Sequence, residues 1–176
     1  MGLDQATIEG MRTMVMAGGA RQLAVGDLRT GDLADLAWSG NPAHLRSVAA
    51  ALRRAAQGLE DYLVVRAPGG EPVAKMRIDY TSEDDTGVFS QLATMGQLQG
   101  LGIATMLIGA GEQRIRARGL SFAALGVEDS NPRARHLYER LGYQAARRQH
   151  ASWETEDDTG VPGVYETTLT ILRKRL

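Results

Sequence analysis

The sequence predicts an α/β fold of the α+β type, a mixed β-sheet covered by helices. Three observations predict it. Short alternating apolar runs and longer runs with helical spacing follow one another in the order β-α-α-β-β-β-α-β-α-β-β, separated by glycine and proline signals. Strands alternate with helices in the second half while hairpins dominate elsewhere, a pattern that calls for a sheet of mixed direction. A chain of 176 residues, 43% of them hydrophobic, is enough for one domain with a real core.

The first 19 residues contain four of the seven methionines and are set apart as an extension, either mobile or a helix packed on a partner; residues 20–176 form the single domain. Arg21–Arg29 alternates and reads as a strand. Thr30 caps a short helix through Trp38, with Asp32 favouring its first turn. Asn41-Pro42 starts a second helix, cap followed by Pro at the first helical position, with Leu45, Val48, Ala49 and Leu52 at helical spacing and Gly58 at its end. Asp61–Arg66 and Pro72–Tyr80 make a hairpin around Ala67-Pro-Gly-Gly-Glu71. Gly87–Thr94 is a further strand. A helix then runs from about Gly102 to Arg118; Arg114, Arg116 and Arg118 suit its negative end and Gly119 its C-terminal cap. Ser121–Val127 is a short apolar strand, Asn131-Pro132 opens the last helix, and Gly142 closes it. Tyr143–His150 and Val164–Leu172 are the final strands, around the loop SWETEDDTGVPG.

Composition excludes several classes. The net charge of −1 marks no nucleic-acid binder and no binder of anionic membranes. The absence of cysteine removes a disulfide framework, a thiolate metal site and a Cys nucleophile. No apolar run approaches the ~20 residues of a membrane span. The N-terminus lacks a basic start and apolar core, so a cytoplasmic protein is expected. His44, His136 and His150 are scattered and suggest no metal site.

The informative stretch is GQLQGLGIATMLIGAGEQRI, Gly96–Ile115, with three glycines in its first seven residues and a helix directly after. A helix N-terminus offers unpaired N–H groups and a partial positive charge, and glycines let an anion reach them. The segment lacks the Gly-Lys-Ser/Thr of a nucleotide P-loop, and Thr105 stands where a dinucleotide fingerprint needs Gly or Ala. Gln99-Gly-Leu-Gly-Ile-Ala104 instead reads Q-x-x-G-x-A. Downstream, Asn131-Pro-Arg-Ala-Arg-His-Leu-Tyr-Glu-Arg-Leu-Gly-Tyr143 reads N-x-x-A-x-x-L-Y-x-x-x-G-Y, and the strand Ser121–Val127 lies between the two. These motifs, in this order, resemble the two hallmarks of the GNAT superfamily of acyl-CoA-dependent N-acyltransferases, from Leu92 to Tyr143.

The resemblance implies a mostly antiparallel central sheet with helices on both faces and splayed central strands. It implies acetyl-CoA as cosubstrate, no metal, and a small-molecule or peptide amine as acceptor, in a monomer or homodimer. Coenzyme pyrophosphate would sit on backbone N–H groups of the loop Gln99, Gly100, Leu101, Gly102, Ile103, Ala104 and Thr105. Leu92, Ala93 and Thr94 would pair with the pantetheine arm, and Asn131 and Ala134 would complete the cofactor site. Tyr138 falls on the family's Tyr position, where its phenol would protonate the leaving thiolate while also touching the cofactor; it also reads as a residue packed with Leu137 and Leu141. Gly96 stands where the family often has Pro. Ser90-Gln91 occupy the stretch where many members carry a basic Glu, which leaves Asp79, Glu83 and Glu128 as carboxylates able to act through water. A direct N-acetyl transfer to a primary amine is the first reading. A catalytically degenerate acyl-CoA sensor is the second, and a nucleotide-binding α/β domain the third.

Overall fold

A computed structural model of the chain describes residues 3–157 and 159–176. Among the described residues, seven strands form one sheet in the order β1-β2-β3-β4-β5-β7-β6. They are β1 (Ala24–Asp27), β2 (Glu60–Arg66), β3 (Pro72–Asp79), β4 (Thr86–Thr94), β5 (Phe122–Glu128), β6 (Gln144–Glu156) and β7 (Pro162–Arg175). Every neighbouring pair is antiparallel except β4 and β5. Four α-helices, α1 (Gln5–Met16), α2 (Pro42–Ala55), α3 (Ile103–Ala117) and α4 (Pro132–Arg140), cover both faces of the sheet.

The helix starts follow local chemistry. Asn41 caps α2 by accepting the His44 N–H at 2.9 Å, and Asn131 caps α4 by accepting the Ala134 N–H at 3.1 Å; each is followed by Pro at the first helical position. The segment after Arg29 winds as a 3-10 helix, Thr30–Ser39, started by the Asp32 carboxylate accepting the Arg29 N–H at 2.7 Å rather than by Thr30. The larger core gathers α1, α3 and α4 on one face, with Met76, Phe89, Leu107 and Leu125 among its buried members. The smaller packs α2 and the 3-10 segment on the other, around Leu36, Val48, Tyr62 and Val64. Leu63 and Val65 against Tyr62 and Val64 show how alternation on one strand feeds both cores.

Three segments differ from the sequence reading. Met1 and Gly2 lie outside the described residues, but the rest of the segment set apart as an extension is largely α1, whose Ile8, Met11 and Val15 are buried in the larger core. Their spacing of three and four puts them on one helical face, and that face has a partner within the chain. The strand read from Arg21 is shorter, because Gly19–Gln22 winds as a 3-10 turn and β1 starts at Ala24. The loop read over SWETEDDTGVPG is mostly strand. Its turn shrinks to the Asp157–Val161 stretch because the Asp157 carboxylate accepts from the N–H groups of Thr159 and Val161, both at 2.9 Å. Asp158 of the acidic run there lies outside the described residues.

β4 positions the site. It pairs with β5 only over Thr86–Phe89 against Phe122–Leu125, after which the two strands part. A bulge lies in the same place: on β3 the register jumps between Lys75, opposite Ala93, and Arg77, opposite Ser90, so β4 carries one extra residue. Gln91, in the bulge, sits at φ +52°, left-handed backbone that non-glycine residues rarely adopt. Side chains hold it there. Gln91 Nε2 donates to Ser47 Oγ at 2.8 Å, Tyr62 OH donates to Gln91 Oε1 at 2.8 Å, and Lys75 Nζ reaches the Gln91 carbonyl at 3.3 Å.

Candidate active site at the parting of β4 and β5

Two clefts open where β4 and β5 separate. The first, of about 600 Å³, runs along the end of β4, the glycine loop, the start of α3 and one side of α4. Twelve of the thirteen residues predicted for the cofactor line it, from Leu92, Ala93 and Thr94 through the loop to Asn131, Ala134 and Tyr138. Leu101 is the exception; its side chain packs against the larger core, so that position contributes to the loop through its backbone.

The loop geometry suits an anion. Gly100 and Gly102 have φ +82° and +81°, and both turns are needed to present the first N–H groups of α3 to the cleft. A Cβ on Gly102 would meet nothing within 4 Å, so the backbone there faces open space. Arg133 and Arg140 add positive charge to the same cleft, which the motif analysis did not anticipate although both lie in or beside the second motif. The Thr94 hydroxyl oxygen is buried there with no hydrogen-bond partner among the described residues. These residues fit a pyrophosphate with an amide-bearing arm.

The second cleft, about 1290 Å³, lies on the α2 face of the sheet. Its floor is Ser90 and Gln91 of β4 with Gly126 and Glu128 of β5; its walls are the start of α2 and the β6–β7 hairpin. Asn41 joins the walls, its Nδ2 donating to the Glu156 carbonyl at 2.8 Å and to Thr155 Oγ1 at 3.2 Å while its Oδ1 caps α2. Leu92, Asn131, Ala134 and Tyr138 line both clefts and so mark where they meet.

Tyr138 is buried, with its ring edge-on to Tyr143 at a centroid distance of 6.4 Å. Burial pushes its phenol up, so it stays protonated and able to donate through the neutral range. Of the three candidate carboxylates, Glu128 is the one that lines either cleft, its Oε2 accepting from Tyr165 OH at 3.1 Å and Ser130 Oγ at 3.2 Å. Asp79 is held by Arg77 at 3.0 Å and by Thr81 N–H at 2.7 Å, and Glu83 pairs with Arg147.

Sequence reasoning missed the polar network behind the second cleft. Lys75 is fully buried, with Nζ 2.9 Å from His44 Nε2 and 3.2 Å from Tyr62 OH. Burial lowers Lys75 to about 8, and burial together with the Lys75 charge lowers His44 to about 4. At neutral pH the lysine is therefore the donor, and His44 is neutral with its proton on Nδ1. The only sequence signal was a lysine on the alternation of a hairpin strand, which ordinarily faces water.

The model of the Acetyltransferase (GNAT) family matches residues 31–143, well over half of the chain. The protein belongs to this family. No curated protein sequence matches it. Among solved structures, the ribosomal-protein-S18-alanine N-acetyltransferase from Escherichia coli superposes with a TM-score of 0.65 at 19% identity, covering 87% of this chain and 93% of that one. A spermidine N-acetyltransferase from Vibrio cholerae, in complex with CoA and spermine, gives 0.63 at 19% identity, with 88% and 96% covered. An N-acetyltransferase from Staphylococcus aureus Mu50 gives 0.67 at 14% identity, with 87% and 98% covered. At such identities the likeness establishes a shared fold.

Proposed function

We propose that the protein is an acetyl-CoA-dependent N-acetyltransferase acting on a primary amine. The observation that carries the reading is the meeting of the two clefts at Tyr138, Leu92, Asn131 and Ala134, one cleft built for a pyrophosphate and its arm and the other open to an acceptor. Bound acetyl-CoA supplies the activated acyl group as a thioester.

In this reading Gly100–Thr105 bind the pyrophosphate through backbone N–H groups, with Arg133 and Arg140 alongside. Beyond Phe89, β4 has backbone groups freed from β5, and these hold the amide-bearing arm by strand addition and offer an N–H to the developing oxyanion. Glu128 takes the acceptor's proton, directly or through water. Tyr138 donates a proton to the departing sulfur. Residues 20–176 act as one catalytic domain, and α1 supports it by completing the larger core.

Ser90-Gln91 in place of a Glu on β4 favours a second reading, a non-catalytic acyl-CoA binder. Free thiol released from acetyl-CoA against a panel of primary amines tests the choice. Amine-dependent release is expected; coenzyme binding without release from any amine supports the binder, and thermal stabilisation by NAD equal to that by coenzyme A rejects both.

A further inference from the structure

We propose that Arg12 of α1 is a positioning residue for the coenzyme, acting through the Gln97 carbonyl on the entry to the glycine turn; this rests on the reading of that turn as the pyrophosphate site. The entry is a short 3-10 turn, Gly96–Leu98, between the end of β4 and Gly100. Leu98 N–H donates to the Met95 carbonyl at 2.8 Å, and Gln99 N–H to the Gly96 carbonyl at 3.3 Å. So short a turn leaves its last carbonyls without partners of its own. The Gln97 carbonyl finds its donor 85 residues earlier in the chain, in the Arg12 guanidinium.

The register of α1 brings Arg12 to that point. Ile8, Met11 and Val15 are buried in the larger core, and Arg12, one turn after Ile8, stands half-buried at the margin of the same face. Met95 and Leu98, the buried residues at either end of the turn, belong to that core too, and α1 packs on the turn. Beyond Leu98 the next fully buried residue is Ile103. In between, Gln99, Gly100 and Gly102 are exposed, and both glycines have positive φ. The side-chain ties there are long, Gln99 Nε2 to the Thr94 carbonyl and Arg133 Nη1 to Gln99 Oε1, each 3.4 Å. The glycine turn therefore takes its direction from its entry. Arg12 lies outside residues 31–143, the span of the family match, so this brace comes from the chain's own N-terminal helix.

The entry does not stiffen itself. Gly96 is not among the glycines with positive φ, it opens a 3-10 turn, and a Cβ there would meet nothing within 4 Å. Glycine is thus not required at this position, and its extra freedom must be lost whenever a ligand needs the turn ordered. Proline would fit instead. Met95 at ψ 130° has the extended backbone that precedes a proline, and Gly96 N–H donates to no backbone carbonyl among the described residues. Gly96 also holds the second position of the turn closed by Leu98 N–H, where proline is favoured. Gly96→Pro therefore builds into the turn the stiffness that Arg12 supplies from α1.

The test is a double-variant cycle read by calorimetric titration with coenzyme A. Arg12→Met removes the guanidinium and keeps an aliphatic stem along α1. It is expected to weaken binding at least threefold, about the scale of one hydrogen bond. In the Gly96→Pro protein the same substitution is expected to change affinity by less than about 1.5-fold, because the freedom at stake is already gone. Unchanged affinity in Arg12→Met overturns the proposal. So does an equal loss in both backgrounds, which would mean that Arg12 acts by its charge or through the helix and not through the turn. If the wild-type protein binds no coenzyme A, the coenzyme reading fails on its own, and amide exchange at Leu98 and Gln99 in the free protein decides this one. Exchange at least threefold faster in Arg12→Met and reversed by Gly96→Pro supports the positioning role, on the order of the same hydrogen bond. Exchange at the wild-type rate overturns it.

Discussion

The two clefts are built in opposite ways. The cleft proposed for the coenzyme comes from two continuous stretches, Leu92–Thr105 and Asn131–Arg140, and offers mainly backbone: a strand end, a glycine turn and a helix start. The cleft proposed for the acceptor draws on six separated segments, from Ser39 in the 3-10 helix to Leu169 in β7, and offers mainly side chains. Backbone donors held by a turn tolerate most changes that leave the turn intact. A surface of side chains from distant segments can be rebuilt one position at a time, so one frame can present a fixed ligand site beside a variable one.

That contrast is broken most directly at Tyr138, which lines both clefts. Tyr138→Phe removes a hydroxyl and keeps the ring that stands edge-on to Tyr143. If the phenol is the proton donor, turnover of an accepted amine falls by roughly 10²-fold, the low end of general acid catalysis, because a thiolate is already a tolerable leaving group. Coenzyme A affinity stays within about twofold on the same reasoning. Retained turnover would make Tyr138 a packing residue. A parallel fall of binding and turnover would assign it to the coenzyme cleft alone.

The glycine turn sharpens the backbone half. At φ +81° any side chain on residue 102 is strained, and Asn and Asp bear that strain about equally well. Gly102→Asn therefore measures the strain, and Gly102→Asp adds a negative charge to the same backbone. We expect coenzyme A to bind Gly102→Asp at least tenfold more weakly than Gly102→Asn, about 1.4 kcal/mol, with the difference shrinking at high salt. Equal affinities for the two variants, measured by calorimetry, would move the pyrophosphate away from this turn.

How much was legible in the sequence follows from the same division. The caps Asn41 and Asn131, the glycine turn and the succession of helices and strands along the chain are local features, each set by neighbours within a few residues, and the structure has them. The residues predicted for the cofactor fall along one cleft because their motifs are contiguous; only the Leu101 side chain turns to the core. Nothing local announced Gln91 at φ +52°, because its conformation is held by Ser47, Tyr62 and Lys75 from three other elements. The arm of β6 and β7 was obscured for a related reason. Its polar sequence reads as loop, and it becomes strand through pairing with its other half and through Asn41. The family resemblance led to the parted strands, while the bulge that accompanies the parting depended on contacts distant in sequence.

The smallest expected effect concerns the network behind the acceptor cleft, and it is read in stability rather than activity. Lys75 titrates near 8 in the folded chain because burial disfavours its charge, against 10.5 when exposed. Between those values the unfolded chain binds more protons than the folded one, so this group makes stability rise with pH, starting near 8 and ending near 10.5. Below 8 both states are protonated and the cost of the buried charge is constant. Lys75→Met removes the titration. It also leaves Tyr62 OH, His44 Nε2 and the Gln91 carbonyl without their donor, so the sign of its overall effect is not the readout. The readout is the change in the difference between the two proteins. From pH 7 to pH 9 the wild type should gain about 1 kcal/mol relative to Lys75→Met in urea unfolding. His44 does not intrude, because it is held near 4 when folded and its contribution is lost as pH falls below 6.5, outside the window measured. Parallel stability curves from pH 7 to 10 would mean that Lys75 keeps an ordinary affinity for its proton in the fold. The bulge at Gln91 would then be held by an ammonium whose charge the fold does not disfavour.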